Sequence, residues 1–267
     1  MTHNSTERFS DRVENYVKYR PHYPREILTA LEQLAGLTPT CALADIGSGT
    51  GISAELFLEY GNAVYGIEPN NAMRKAGEAY LSRFPKFKSI DGTAETTMLS
   101  DASVDLIIAG QAFHWFDVER SRTEFKRILK PGGWAALFWN DRQTDTTPFL
   151  IDYEQLLLEF GTDYVVINHK NAHETKSAPD ASIQNSNGSR VQQFFAPNAV
   201  TELHFDNNIW MDYEGLKGRL LSSSYVPAEG NPNYAPMIAS LEKLFHKHRV
   251  NGQIEMRYTT LMYLGQL

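Results

Sequence analysis

The chain has 267 residues, 42% of them apolar and 21% charged, a composition that excludes a disordered tail, a collagen-like chain and a coiled-coil rod. A formal charge of −7 disfavours a protein that coats nucleic-acid phosphates. No apolar run nears the roughly 20 residues that span a bilayer, MTHNSTERFSDRVENY lacks an apolar signal core, and the lone Cys41 cannot form an internal disulfide, so the expectation is a cytoplasmic protein with no membrane span.

Read in chain order, the first half alternates helices and strands. Ser10 is placed to cap a short helix over residues 11–19, closed by the turn-like RPHYP at 20–24. Pro24 suits the first turn of a second helix, in which Ile27, Leu28, Leu31, Leu34 and Ala35 follow the helical period and Gly36 ends the run. The apolar runs CALADIG (41–47), AVYGIE (63–68), FKSID (87–91), VDLIIAG (104–110) and WAALFWN (134–140) read as five strands. Helices over 52–60, 70–80 and 117–130 fall between them, and Pro131-Gly132-Gly133 marks a turn before the fifth. Near-continuous apolar strands separated by helices predict a doubly wound α/β core over residues 37–141.

The second half is less regular. Residues 148–160 form an amphipathic helix, whereas 162–198 are rich in Asn, Ser, His and Lys, and 177–189 read as an exposed loop. A strand over 199–206, helices over 212–221 and 235–248, and a last strand over 253–265 follow. This half reads as an insertion followed by completion of the sheet. The expected fold is therefore Rossmann-like: a doubly wound, mostly parallel, seven-stranded sheet with helices on both faces and an inserted cap region.

The most informative stretch is Asp45-Ile46-Gly47-Ser48-Gly49-Thr50-Gly51, between the first strand and its helix. Glycines at alternate positions let the backbone turn sharply and approach a ligand with no Cβ in the way. Position puts that ligand beside a helix N-terminus at the carboxyl end of the sheet, where open α/β sheets bind small molecules. The spacing is G-x-G-x-G; Ile52 stands where a dinucleotide fingerprint needs its third glycine, and no Gly-Lys-Ser/Thr follows to make a P-loop. Glu68, 21 residues after Gly47 at the end of the second strand, is placed to accept hydrogen bonds from two ribose hydroxyls; capping the next helix is its other reading.

Taken in order, DIGSGTG, GIEPN, DGTAE, DLIIAGQAFHWF and LKPGG resemble the class I S-adenosylmethionine-dependent methyltransferases, a likeness covering residues 10–141. The opening VENYVKYRPHYP and the later RLLSSSYVP and YTTLMYLGQL are similar to the methyltransferase type 11-like enzymes related to trans-aconitate methyltransferases, which act on small molecules. The resemblance implies S-adenosylmethionine as cofactor, S-adenosylhomocysteine as product, a small-molecule acceptor, and no metal. By the same resemblance Asp45, Gly47, Ser48 and Gly49 would line the methionine part of the cofactor, with Gly51 permitting helix packing. Glu68 would bind the ribose diol, and Pro69 and Met73 would pack near the adenine. Asp91 would meet the adenine amino group, with Thr93 and Ala94 beside the ring; a simple turn role is the other reading of Asp91. Gln111 and Ala112 would sit under the sulfonium, and His114 and Trp115 would face the acceptor. Tyr16 and Arg20, four apart, would share a helix face over the cofactor, with Arg20 pairing its carboxylate; an ordinary surface face is the alternative. The expected division is an N-terminal helical lid at 1–36, a cofactor-binding core at 37–141, a cap with sheet completion at 142–250, and a final strand at 251–267.

The chemistry that follows is an in-line displacement at carbon, for which alignment is the first requirement. His114 is the candidate general base, with positioning or packing as its other reading. An NAD(P)-dependent oxidoreductase would share the sheet and the acid at Glu68 but predicts the missing G-x-G-x-x-G, and a non-catalytic cofactor-binding protein would keep the same core without turnover. His169 and His173 lack the HExxH pattern of a zinc site and read as solvated loop residues. Arg142, Lys170, Arg190 and Arg219 are candidate anchors for an acidic acceptor, each with a solvated charge as its plainer reading.

Overall fold

The computed structural model describes residues 19–162, 164, 190–223 and 225–267. The expected helix over 11–19, Tyr16, the 177–189 loop, Lys170, His169 and His173 therefore lie outside the described residues, save the end of that helix at Tyr19.

The five apolar runs become β1 (Ala42–Ile46), β2 (Ala63–Ile67), β3 (Phe87–Ile90), β4 (Val104–Gly110) and β5 (Leu129–Arg142), all parallel. Two later strands, β6 (Val200–Asp206) and β9 (Tyr258–Gly265), complete a seven-stranded sheet in the order β3-β2-β1-β4-β5-β9-β6. β9 runs antiparallel to both of its neighbours, with Leu137 opposite Tyr263 and Leu203 opposite Met262. β7 (Ile209–Met211) and β8 (Ile254–Met256) pair separately. From β1 the chain steps outward to β2 and β3, then returns to lay β4 on the other side of β1. That reversal opens a crevice at the carboxyl ends of β1 and β4, the position where such sheets take ligands.

Side chains alternate across the sheet. Ile46, Ile107, Ala109 and Leu137 feed one buried cluster, while Leu43, Leu106, Ile108 and Phe138 feed the cluster on the opposite face. Helices α1 (Glu26–Ala35), α2 (Ile52–Tyr60), α3 (Asn71–Tyr80) and α4 (Val118–Ile128) belong to this core. Their starts follow local chemistry: Asn70 Oδ1 accepts from the Ala72 and Met73 N–H groups, and Asp117 Oδ1 from the Arg120 N–H. Helices α5 (Pro148–Phe160), α6 (Tyr213–Leu221) and α7 (Tyr234–His248) form a third apolar cluster with β8 and Tyr258.

Two expectations need adjusting. β5 begins at Leu129, which already pairs with Val104; the residues through Pro131-Gly132-Gly133 then bulge out of register before pairing resumes between Leu106 and Trp134. The single strand expected over 253–265 is two strands parted at Arg257, the first pairing with β7 and the second with the main sheet. Among the described residues, no helix is long and apolar enough to cross a membrane.

Candidate active site

The glycine loop between β1 and α2 is anchored from below, where the N–H groups of Gly47 and Ser48 both donate to the Ile67 carbonyl at 2.8 and 3.1 Å. Gly47 has φ +69°, and a Cβ there would come within 2.6 Å of Ala112 Cβ. Gly51 has φ +88°, and a Cβ there would strike Leu81 Cδ1 at 2.5 Å, so the third glycine serves packing below the loop.

Two carboxylates stand behind and beside this loop. Asp45 is fully buried, accepts from Ser53 Oγ at 2.6 Å, and keeps Oδ1 without a hydrogen-bond partner among the described residues. Burial lifts its carboxyl to about 7, against the opposing Ser53 hydrogen bond. Glu68 accepts from the Gly49 N–H at 3.0 Å and the Asn70 N–H at 2.8 Å, so it tethers the loop to the start of α3. Burial raises its carboxyl as well, with those two backbone N–H groups pulling the other way.

Two clefts adjoin here and share Gly47, Gly49, Gly110 and Gln111 in their walls. Glu68, Pro69 and Met73 line the larger from the β2 side, Thr93 and Ala94 from beyond β3, and Ala112 from beyond β4. Ser48 and Arg20 line the smaller, where Arg20 Nη2 donates to the Ser222 carbonyl at 3.1 Å. Gln111 stands between the two in a left-handed conformation (φ +58°) rare for a residue with a Cβ, held by its N–H on the Phe138 carbonyl and its Nε2 on the Asn140 carbonyl.

Three of the candidates sit elsewhere. Asp45 lies beneath the loop and lines neither cleft. Asp91 points outward, 71% exposed and paired with Arg74 at 3.0 Å. His114, on a single 3-10 turn at Phe113–Trp115, packs its ring 4.7 Å from that of Trp115 and also lines neither cleft.

A family model described as a methyltransferase domain matches residues 44–137. An uncharacterized methyltransferase of Mycobacterium tuberculosis is 36% identical over 134 residues, 50% of this chain and 52% of that protein. Another, from Schizosaccharomyces pombe, is 30% identical over 150 residues, 56% of this chain and 58% of that one. The chain thus spans about half the length of the curated relatives it matches. Among solved structures, a protein of Anaeromyxobacter dehalogenans assigned as a type II methyltransferase shares the fold, with a TM-score of 0.64 over 92% of this chain and 97% of that one at 22% identity. Residues 44–137 thus match a methyltransferase domain, and the chain shares its fold with a solved methyltransferase-like structure.

Three further residues that the motif reading does not single out contribute to the clefts. Glu95 lines the larger cleft and accepts from the Asp117 N–H at 2.9 Å. Tyr23, from the RPHYP turn, lines the smaller and leaves no room for a Cβ at Gly110, which would lie 2.7 Å from its hydroxyl. Asn140, toward the carboxyl end of β5, is a hub. Its Nδ2 donates to the Pro21 and His22 carbonyls, and its Oδ1 accepts from Asn207 Nδ2 and Thr260 Oγ1. It therefore ties the segment at Pro21–Tyr23 to β5 and β9. Among the described residues no group of three or more His, Cys, Asp or Glu side chains is arranged to hold a metal ion.

Proposed function

We propose that the protein transfers a methyl group from S-adenosylmethionine to a small-molecule acceptor, with the cofactor's nucleoside in the larger cleft, its methionine end along the glycine loop that both clefts share, and the acceptor entering through the smaller on its Arg219 side. The observation that carries this reading is the buried Glu68 carboxylate facing a cleft that Pro69, Met73, Ala94, Ala112 and Phe116 also line, next to a second cleft across Gln111. The residues present fit the cofactor. Each oxygen of Glu68 accepts one backbone N–H and has further lone-pair capacity for a ribose diol. Pro69, Met73, Ala94 and Ala112 offer a slot for a flat ring, and Thr50 Oγ1, buried without a partner among the described residues, offers a hydroxyl where the smaller cleft meets the loop.

The cofactor supplies an activated methyl on a positively charged sulfur. The protein's own part is alignment, which contributes about 7–11 kcal/mol in favourable intramolecular models. Gln111, fixed through two hydrogen bonds in a strained conformation, holds the boundary between the clefts rigid. Asn140 sets the height of the Pro21–Tyr23 segment above the acceptor side. His114 acts by supporting Trp115, whose side chain reaches the larger cleft, and not as a base. Helices α5–α7, within the 142–250 cap, roof the acceptor through Arg219.

Calorimetric titration with S-adenosylmethionine, S-adenosylhomocysteine, NAD and NADP tests the reading. Both sulfur compounds are expected to bind with micromolar affinity and the nicotinamides not at all. In Glu68→Ala the affinity falls about 10- to 100-fold, the usual size of a lost hydrogen bond to a charged group. Nicotinamide binding without the sulfur compounds overturns the proposal, and binding with no turnover on any acceptor favours a non-catalytic cofactor-binding protein.

A further inference from the structure

The structure separates the four cations that sequence alone offers to an acidic acceptor. Lys170 lies outside the described residues. Arg142 is buried with Glu154, to which Nη2 donates at 2.5 Å while also reaching Tyr164 Oη at 2.9 Å, so its charge is neutralised on the spot. Arg190 donates to the Phe116 carbonyl and lies over the Phe113 ring at 5.8 Å, lining neither cleft.

Arg219 differs from all three. It projects from α6, is 6% exposed, and lines the smaller cleft. Its Nε donates to Tyr258 Oη at 2.7 Å and its Nη1 to Ser223 Oγ at 3.0 Å, with Ser222 Oγ at 3.4 Å. Every one of these partners is a neutral hydroxyl, and among the described residues Arg219 forms no ion pair with a carboxylate. A guanidinium carries five N–H donors and stays protonated in proteins. Taking it out of water is costly unless a counter-charge offsets the loss. The three hydroxyls hold and orient this guanidinium without cancelling its charge. The walls of the smaller cleft also contain no Asp or Glu among the described residues, whereas the larger cleft carries Glu68 and Glu95. The site is thus polarised, acidic at one end and cationic at the other.

We propose that Arg219 receives an oxyanion group of the methyl acceptor, a carboxylate or a phosphate, inside the smaller cleft. This rests on the methyl-transfer reading above. The cofactor's amino-acid end offers a carboxylate too, but Arg20, on the same cleft, is the cation that the resemblance assigns to it. Arg219 also comes from the helical layer α5–α7 and not from the core that builds the cofactor cleft. An acceptor anion docked there is oriented before reaction by a cation that its neutral partners have already fixed in place.

The test uses the full chain and its Arg219→Gln and Arg219→Lys variants, by calorimetry at constant ionic strength. S-adenosylhomocysteine is titrated first, then inorganic phosphate, succinate and citrate into protein saturated with it. At least one anion is expected to bind the wild-type complex, about tenfold or more weakly in Arg219→Gln, with Arg219→Lys in between. S-adenosylhomocysteine affinity is expected to stay within about threefold across the series. A tenfold loss of S-adenosylhomocysteine affinity in Arg219→Gln assigns the cation to the cofactor carboxylate and overturns the proposal. Equal anion affinity in wild type and Arg219→Gln overturns it, as does a wild-type complex that binds none of the anions at millimolar concentration. Wild-type protein that fails to bind S-adenosylhomocysteine sinks the methyl-transfer reading itself, which the first titration reads separately. If Arg219→Gln has no cooperative melting transition, Arg219→Lys and Tyr258→Phe carry the same comparison, since both keep a cation at the site while shifting its geometry; anion affinity unchanged in both then counts against the proposal.

Discussion

Asp45 closes β1 behind the glycine loop with no solvent contact, and burial lifts its carboxyl from 3.8 to about 7. The consequence for stability has a definite sign. Between the unfolded and folded values the native chain holds a proton that the unfolded chain has released, so stability falls as pH rises through that window and levels off above it. The full displacement corresponds to about 4 kcal/mol. Asp45→Asn keeps an acceptor for Ser53 Oγ and removes the titration. Urea unfolding at about pH 5 and about pH 8 should show a marked loss of stability in the wild type and a much smaller one in the variant. A residual slope is expected from Glu68, whose carboxyl burial also raises. Residue by residue, Gly47, Gly49, Glu68, Gln111 and Ala112, which follow strand ends, all line the clefts. Asp91 and His114 lie at comparable strand ends, yet their side chains turn to Arg74 and Trp115. A motif positions a Cα, while the rotamer answers to neighbours from elsewhere in the chain.

Helix α3 is seated on the glycine loop through Gly77, where a Cβ would meet the Gly49 carbonyl oxygen at 3.1 Å and the Thr50 carbonyl carbon at 3.3 Å. Both contacts are backbone, so neither yields easily. Gly77→Ala is therefore expected to push the loop away from α3, costing about 1–3 kcal/mol and weakening S-adenosylhomocysteine binding; thermal melting and calorimetry check the two effects together. His114→Asn, on the 3-10 turn outside both clefts, is expected to change turnover by only a few-fold, and a loss of about 100-fold would restore the imidazole as a base. At this scale the helices and strands of the first half were readable because caps and apolar runs are local: Asn70 and Asp117 sit at the starts that their side chains stabilise. The split between β8 and β9 was not readable. A three-residue strand pairing with β7 has no period of its own to display, and only the distant partner makes it a strand. Asn140 escapes for the same reason, because its partners lie as far away in sequence as Pro21 and Thr260.

At the scale of the whole molecule, a buried ion pair joins the sheet to the helical layer: Arg142 on β5 with Glu154 on α5, which Tyr164 completes by donating to Glu154 Oε1 at 2.6 Å. Glu154→Gln leaves Arg142 charged, buried and without its counter-ion, and is expected to lower stability by about 3–5 kcal/mol. The double change Arg142→Met with Glu154→Leu, which removes both charges, should cost much less; chemical denaturation of the pair measures the difference. The sheet itself sets an order of assembly. β9 lies between β5 and β6 but follows both in the chain, and β6 hydrogen-bonds to no other main-sheet strand. The parallel half can close on its own neighbours, while β6 waits for β9 to arrive. Thr260 of β9 also delivers the hydrogen bond that completes the Asn140 hub. The hydrogen bond from Arg219 to Tyr258 likewise forms only once β9, the last strand in the chain, is in place.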